Sequence, residues 1–187
     1  MSGAIAGQTV AVTGCGPIGL FSIAVAKACG AARVFAIEPN AQRRELAKKM
    51  GADVLLDPVK DNVEQTVEDA TGGNGVDVLL EMSGHPSAIK QGFRLLRMGG
   101  RASLLGIPSR PVEIDLANAF IFKGATVHGI NGRKMYETWF QAEALLRGGQ
   151  IDIAPVITHR LPLEQFDQAM HLLESGEASK ILLTVKR

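Results

Sequence analysis

The stretch Val10-Ala11-Val12-Thr13-Gly14-Cys15-Gly16-Pro17-Ile18-Gly19 decides the fold. Residues 9–12 are apolar and β-branched in the manner of a strand buried on both faces. Gly14 then permits a tight turn, and Gly16 leaves the backbone open to a pyrophosphate where a Cβ would collide. Gly19 lets the next helix lie close against the strand. Pro17 has no N–H to lose and suits the first turn of that helix. The helix continues over 20–28 and stops at Gly30, with its free N–H groups and positive dipole end facing any anion in the turn.

A second strand over 32–37 ends in Glu38, nineteen positions after Gly19. In a dinucleotide site a carboxylate at this place accepts both ribose hydroxyls and repels a 2′-phosphate, so the cofactor expected is NAD and not NADP. Glycine-rich turns are common, and the reading rests on strand, glycines, helix and acid together. The plain alternative is an ordinary strand–helix–strand unit with a surface glutamate. Arg43, five residues on, is placed along the adenosine side of the site. Arg44 is expected to be solvated on its helix.

Further along, Asn40 caps a helix that ends at Gly51, and a strand over 54–56 follows. A helix over 62–70, a strand over 76–82 and a helix over 86–98 come next. The strand is unbroken apolar sequence apart from Asp77 and Glu81. Strand 101–107, a short helix over 115–122, strand 125–130 and an amphipathic helix over 136–147 complete the alternation. Strands alternating with helices imply an α/β fold, a doubly wound parallel sheet of six strands in the Rossmann order 3-2-1-4-5-6. Residues 1–150 read as the dinucleotide-binding domain. Residues 151–187 read as a strand–helix–strand appendage, which either covers a sheet edge or belongs with another lobe.

In open parallel sheets the ligand lies beyond the carboxyl ends of the strands. That rule adds Ser83, Gly84, Leu105, Gly106, Ile107, Ile130 and Asn131 to the candidate cofactor-binding residues Gly14, Gly16, Pro17, Ile18, Gly19, Glu38 and Arg43. Several are small or apolar, which suits a flat nicotinamide ring held by backbone groups and van der Waals contact.

The remaining composition excludes more than it assigns. A chain of 187 residues with 46% hydrophobic and 21% charged residues is an ordinary globular protein. A net charge of +1 points to neither nucleic acid nor an anionic membrane. No apolar run reaches membrane-spanning length and no signal sequence opens the chain, so a cytoplasmic location is expected. Cys15 and Cys29 make no disulfide framework, and His85, His128, His159 and His171 show no paired ligand spacing, so no metal site is expected. No catalytic residue is assigned: Phe140, not a lysine, stands four places after Tyr136, and no G-x-S-x-G elbow is present. His85, before Pro86, reads as a turn residue, and Trp139 as a packing anchor on its helix.

The segments Gly14-Cys15-Gly16-Pro17-Ile18-Gly19, Glu81-Met82-Ser83-Gly84, Leu105-Gly106-Ile107-Pro108, Gly129-Ile130-Asn131-Gly132-Arg133, Glu137-Thr138-Trp139 and Ile157-Thr158-His159-Arg160 resemble the coenzyme-binding half of the zinc-dependent medium-chain dehydrogenases. Within that family they are most similar to the threonine dehydrogenase branch. The resemblance implies NAD contacts at Ile18, Glu38, Arg43, Leu105, Gly106, Ile107, Ile130 and Asn131. It implies oxidation of a secondary alcohol such as L-threonine, a homo-oligomer, and a catalytic zinc carried by an N-terminal lobe that would precede Met1. The chain alone is therefore expected to bind NAD and to be inactive. The segment 151–187 would in the family return to that lobe. Glu38 stands where many relatives carry Asp. The alternatives are the coenzyme domain of another polyol or alcohol dehydrogenase, a non-catalytic nucleotide-binding module, and a methyltransferase, which also joins a glycine loop to an acid.

Overall fold

A computed structural model describes residues 3–185. Strand β1 (Thr9–Thr13) leads through the glycine turn into helix α1 (Pro17–Ala28), and the alternation continues with β2 (Arg33–Ile37), α2 (Ala41–Lys49), β3 (Val54–Leu56), α3 (Val63–Ala70), β4 (Val76–Glu81), α4 (Pro86–Leu95), β5 (Leu96–Leu104) and β6 (Thr126–Gly129). The strands form one parallel sheet in the order β3-β2-β1-β4-β5-β6, as the alternation predicts. Helix α5 (Glu137–Arg147) follows β6.

The period-two pattern of the strands sorts their side chains to two cores. Val10, Val12, Val34, Ala36, Val78 and Leu80 face α1 and α2, where they meet Leu20, Ile23, Ala47 and Met50. Ala11, Phe35, Ile37 and Leu79 face the other way, onto Val63 and Val67 of α3 and Ile89 and Phe93 of α4. Fully buried side chains such as Leu20, Ile23 and Phe93 each contribute about 2 kcal/mol of transfer free energy. Asn40 and Asn62 cap α2 and α3 through their side-chain oxygens, which accept from the N–H of Arg43 at 3.1 Å and of Gln65 at 3.2 Å. His85 is the N-cap of α4, its Nδ1 facing Ser87 Oγ at 2.8 Å.

Three expectations are corrected. The helix expected over 86–98 ends at Leu95, because the ammonium of Lys123 takes the carbonyls of Phe93 (2.7 Å), Arg94 (3.0 Å) and Leu96. Leu96 then pairs with Val76 as the start of β5 and is buried there. The helix expected over 115–122 shrinks to one π-helical turn, Ala117–Ile121, anchored by Phe120 packing edge-on to Phe93 at 4.6 Å. Helix α5 forms, yet none of its residues is buried. Trp139 is 49% exposed, edge-on to Tyr136 and beneath Arg133, and is not buried in the core.

After α5 the chain passes through a 3-10 turn (Ala154–Val156) into β7 (Ile157–Pro162). A second 3-10 turn (Leu163–Gln165), α6 (Phe166–Glu174) and β8 (Lys180–Thr184) follow. β7 and β8 pair only with each other, as a separate two-stranded parallel sheet. Among the described residues, neither strand is hydrogen-bonded to an edge of the large sheet. This unit touches the main body through Val156, fully buried in the α1–α2 core, and through the Asn40 amide, which donates to the Gly176 carbonyl at 3.4 Å.

At the end of the sheet opposite the glycine turn, Asp77 accepts from the N–H and hydroxyl of Thr9, both at 2.8 Å, and from Arg97 Nε at 2.6 Å. Burial pushes this carboxyl up, but the Thr9 donors and the Arg97 guanidinium outweigh it and hold Asp77 below the usual carboxylate range. A depressed carboxyl stabilises the fold above its unfolded pKa, and that stability is lost as pH falls through the folded value. Asp77→Asn is therefore expected to cost about 1 kcal/mol near neutral pH, with the gap to wild type closing below about pH 4, in urea unfolding followed across pH.

Candidate functional site

The carboxyl ends of β1, β2 and β4 open on a cleft of about 540 Å³ lined by Gly14, Gly16, Glu38, Arg43, Ser83 and Met82, among others. Gly14 has φ +83°, and a Cβ there would stand 2.7 Å from Cβ of Ser83, so only glycine lets β1 and β4 close at this point. A Cβ on Gly19 would overlap the Gly14 carbonyl, which is how α1 comes to lie directly on the turn. Gly16 is different. No atom lies within 4 Å of where its Cβ would be, so its bareness serves the open cleft and not the packing. Gly16 is also the N-cap of α1 and Pro17 its first residue, and no side chain caps this helix end. Its first-turn N–H groups are left to whatever enters the cleft.

Glu38 follows β2 and is buried, with its side chain folded back over the glycine turn. One carboxylate oxygen accepts from the Cys15 N–H at 2.7 Å and the other from the Asn40 N–H at 3.0 Å. A carboxylate offers about four acceptor sites, so each oxygen retains capacity for a further donor. Burial pushes the Cys15 thiol up to about 12, and the Glu38 charge adds to this while Arg43 and Arg44 oppose it. That thiol is an inert core group, not a nucleophile.

Arg43, in the first turn of α2, lines the cleft with its Nε buried and unpartnered. Arg44 is not solvated as its helix position suggested. It donates to the carbonyls of Glu38 (2.6 Å) and Pro39 (2.7 Å) and pairs with Asp57 at 3.2 Å. Its place is structural, tying the end of β2 to the residue after β3.

A second opening of about 650 Å³ lies on the α1 side of the sheet, lined by Ile18, Met82, Leu105 and Ile130 together with Phe21 and Val25. Between the two clefts stands the turn Met82–Gly84. A Cβ on Gly106 would overlap the Gly84 N–H, and one on Gly84, which has φ +68°, would stand 2.6 Å from the Ile107 carbonyl. Gly84 and Gly106 therefore interlock as backbone, Gly84 buried and Gly106 half-buried. Ile107 is 91% exposed and Asn131 is exposed, and neither side chain lines either cleft. Of the sequence-predicted residues, Gly16, Glu38, Arg43 and Ser83 line the polar cleft, Ile18, Leu105 and Ile130 line the apolar one, and Gly84 and Gly106 form the interlocked backbone between them.

Sequence reasoning missed Glu81, a fully buried acid at the end of β4 whose carboxylate is surrounded by donors from Thr13, Ser83 and Gly84. The signal was present, since an acid at the end of an apolar strand survives burial only when paired or hydrogen-bonded. Among the described residues, no group of three or more His, Cys, Asp or Glu side chains could hold a metal ion, and no helix is long and apolar enough to cross a membrane.

Comparison with known proteins agrees with this architecture. The family model described as zinc-binding dehydrogenase matches residues 17–148. The L-threonine 3-dehydrogenase of Bacillus subtilis is 50% identical over 178 residues, which cover 95% of this chain and 51% of that protein. The enzyme of the same name from Pyrococcus furiosus is 46% identical over 187 residues, 100% of this chain and 54% of the relative. The chain thus spans about half the length of the curated relatives it matches. Among solved structures, an alcohol dehydrogenase from Thermotoga maritima superposes with a TM-score of 0.90 at 34% identity, covering 98% of this chain and 51% of that one. The 2R,3R-butanediol dehydrogenase of Bacillus subtilis gives 0.86 at 31% identity, covering 97% and 52%. With its match running from α1 through α5 on a six-stranded sheet of this order, the chain belongs to the zinc-binding dehydrogenase family.

Proposed function

We propose that this chain holds NAD, as the coenzyme-binding part of a dehydrogenase resembling L-threonine 3-dehydrogenase that oxidises a secondary alcohol. The observation that carries the reading is Glu38, held at the tip of β2 with its carboxylate on the Cys15 N–H, in the cleft that the bare Gly16 also lines. The residues fit the cofactor on three counts. The spare acceptor capacity of Glu38 suits the two ribose hydroxyls of the adenosine half. The uncapped first turn of α1 suits the pyrophosphate, with Gly16 leaving room for it. Arg43, with its orphaned Nε, lies where the adenosine would rest. Beyond the divide, Ile18, Met82, Leu105 and Ile130 offer an apolar wall for the nicotinamide.

When bound, NAD supplies the hydride acceptor. The chain's own residues bind and orient it: Glu38 accepts hydrogen bonds from the ribose hydroxyls, the α1 amides face the phosphates, and the apolar wall excludes water from the ring. Glu38 also sets the preference, because a 2′-phosphate would stand against its charge. The described residues supply no ligand set for the zinc that the family's description names. The names of the sequence relatives support L-threonine as the alcohol of the whole enzyme. The likeness to the alcohol and butanediol dehydrogenases favours, as a second reading, a different small alcohol or diol with the same use of NAD.

Calorimetric titration tests the reading directly. Glu38→Ala is expected to weaken NAD about tenfold or more while narrowing the discrimination against NADP, and equal affinities in wild type and variant would overturn the role of Glu38. Gly16→Ala, at an ordinary φ of −65° with open space around it, is expected to shift the melting temperature by less than about 2 °C and yet to abolish most NAD binding. Gly19→Ala is expected to cost about 1–3 kcal/mol of stability through overlap with Gly14. Incubated with zinc, L-threonine and NAD, the chain is expected to give no rise in NADH absorbance; a measurable zinc-dependent rate would show that it carries its own catalytic site.

A further inference from the structure

The carboxylate of Glu81 gathers donors from two strands and a turn. The Thr13 hydroxyl reaches it from β1 at 3.3 Å, the Ser83 N–H at 3.0 Å, the Ser83 hydroxyl in a short bond, and the Gly84 N–H at 3.1 Å to both oxygens. The backbone carbonyl of the same residue accepts from Leu105 N–H at 2.9 Å and Gly106 N–H at 3.2 Å, beyond the end of β5. One residue therefore ties together the mouths of β1, β4 and β5. Every partner of the carboxylate donates. An ionised acid satisfies that arrangement, whereas a glutamine would turn an NH₂ group toward at least one donor.

The turn that Glu81 secures is the divide between the two clefts. Met82 lines both, Ser83 lines the cleft of Glu38 and Arg43, and Leu105 lines the apolar one. A dinucleotide has to cross this divide. A mononucleotide resting against Glu38 and Arg43 does not. We infer that Glu81 is a positioning residue for the dinucleotide: its buried carboxylate sets the height and tilt of the Ser83–Gly84 turn, so that the pyrophosphate and nicotinamide can pass from one cleft to the other. Glu81 lines neither cleft, and it acts through Ser83 and Gly84. The inference rests on the cofactor reading above.

The test is calorimetric titration of NAD and of AMP into wild type, Glu81→Gln, Ser83→Ala and the double variant, each checked for a cooperative thermal melt. Glu81→Gln is expected to weaken NAD about tenfold or more and AMP less than about threefold, a split that a general loss of stability would not produce. Ser83→Ala is expected to weaken NAD by about twofold to fivefold, and the double variant to match Glu81→Gln alone, because the hydroxyl acts through the acid. A folded Glu81→Gln that binds NAD as wild type does overturns the inference, and so do equal losses for NAD and AMP. Should Glu81→Gln fail to fold, Ser83→Ala decides: undiminished NAD binding overturns the inference. A wild-type chain that binds no NAD overturns the cofactor reading and this inference together, whereas wild-type binding that the variants leave intact overturns this inference alone.

Discussion

The approach of α1 to the end of β1 is the contact on which the rest of the molecule depends. Gly19 meets the carbonyl of Gly14 with no room for a methyl group, and Gly14 in turn meets Ser83 across the sheet. Because these contacts are backbone against backbone, no side-chain rearrangement can relieve a substitution there. The same contacts aim the helix's amides at the cleft.

From that contact the site is assembled by polar groups that would be costly if left alone. Glu38 and Glu81 are both buried, and each is satisfied largely by backbone N–H groups of a neighbouring turn. A buried carboxylate is tolerated only with such partners. The two acids therefore act as fasteners on loops that carry no secondary structure of their own. Glu38 holds the glycine turn and Glu81 holds the turn after β4. Arg44 does comparable work one strand further out, through carbonyls and Asp57.

The sheet, its strand order and most helix limits were legible because they are local: apolar alternation, asparagine caps and glycine stops lie within a few residues of the elements they define. What escaped was set by distance in sequence. The helix after Pro86 has a pattern that could continue to Met98, and Lys123, brought in by the chain's return, together with the pairing of Leu96 to Val76, ends it at Leu95. Arg44 reads as a surface arginine until Asp57 is folded beside it. Glu81 reads as a flaw in a strand until Thr13, 68 positions earlier, and the following turn surround it. In the site itself, the glycines and Glu38 were visible in the pattern, but the division of the candidates into a polar cleft, an apolar cleft and an interlocked backbone ridge was not. The amphipathic pattern of α5 signalled a helix and left open what its apolar side would meet.

The small sheet of β7 and β8 has a consequence for how the molecule breathes. Its ladder is closed on itself, and its ties to the main body include Val156, Ile151 and the Asn40–Gly176 bond. The six-stranded ladder loses no hydrogen bond when the small unit lifts away. Amide protons of β7 and β8 are therefore expected to exchange with solvent at a lower opening free energy than those of β1 and β4.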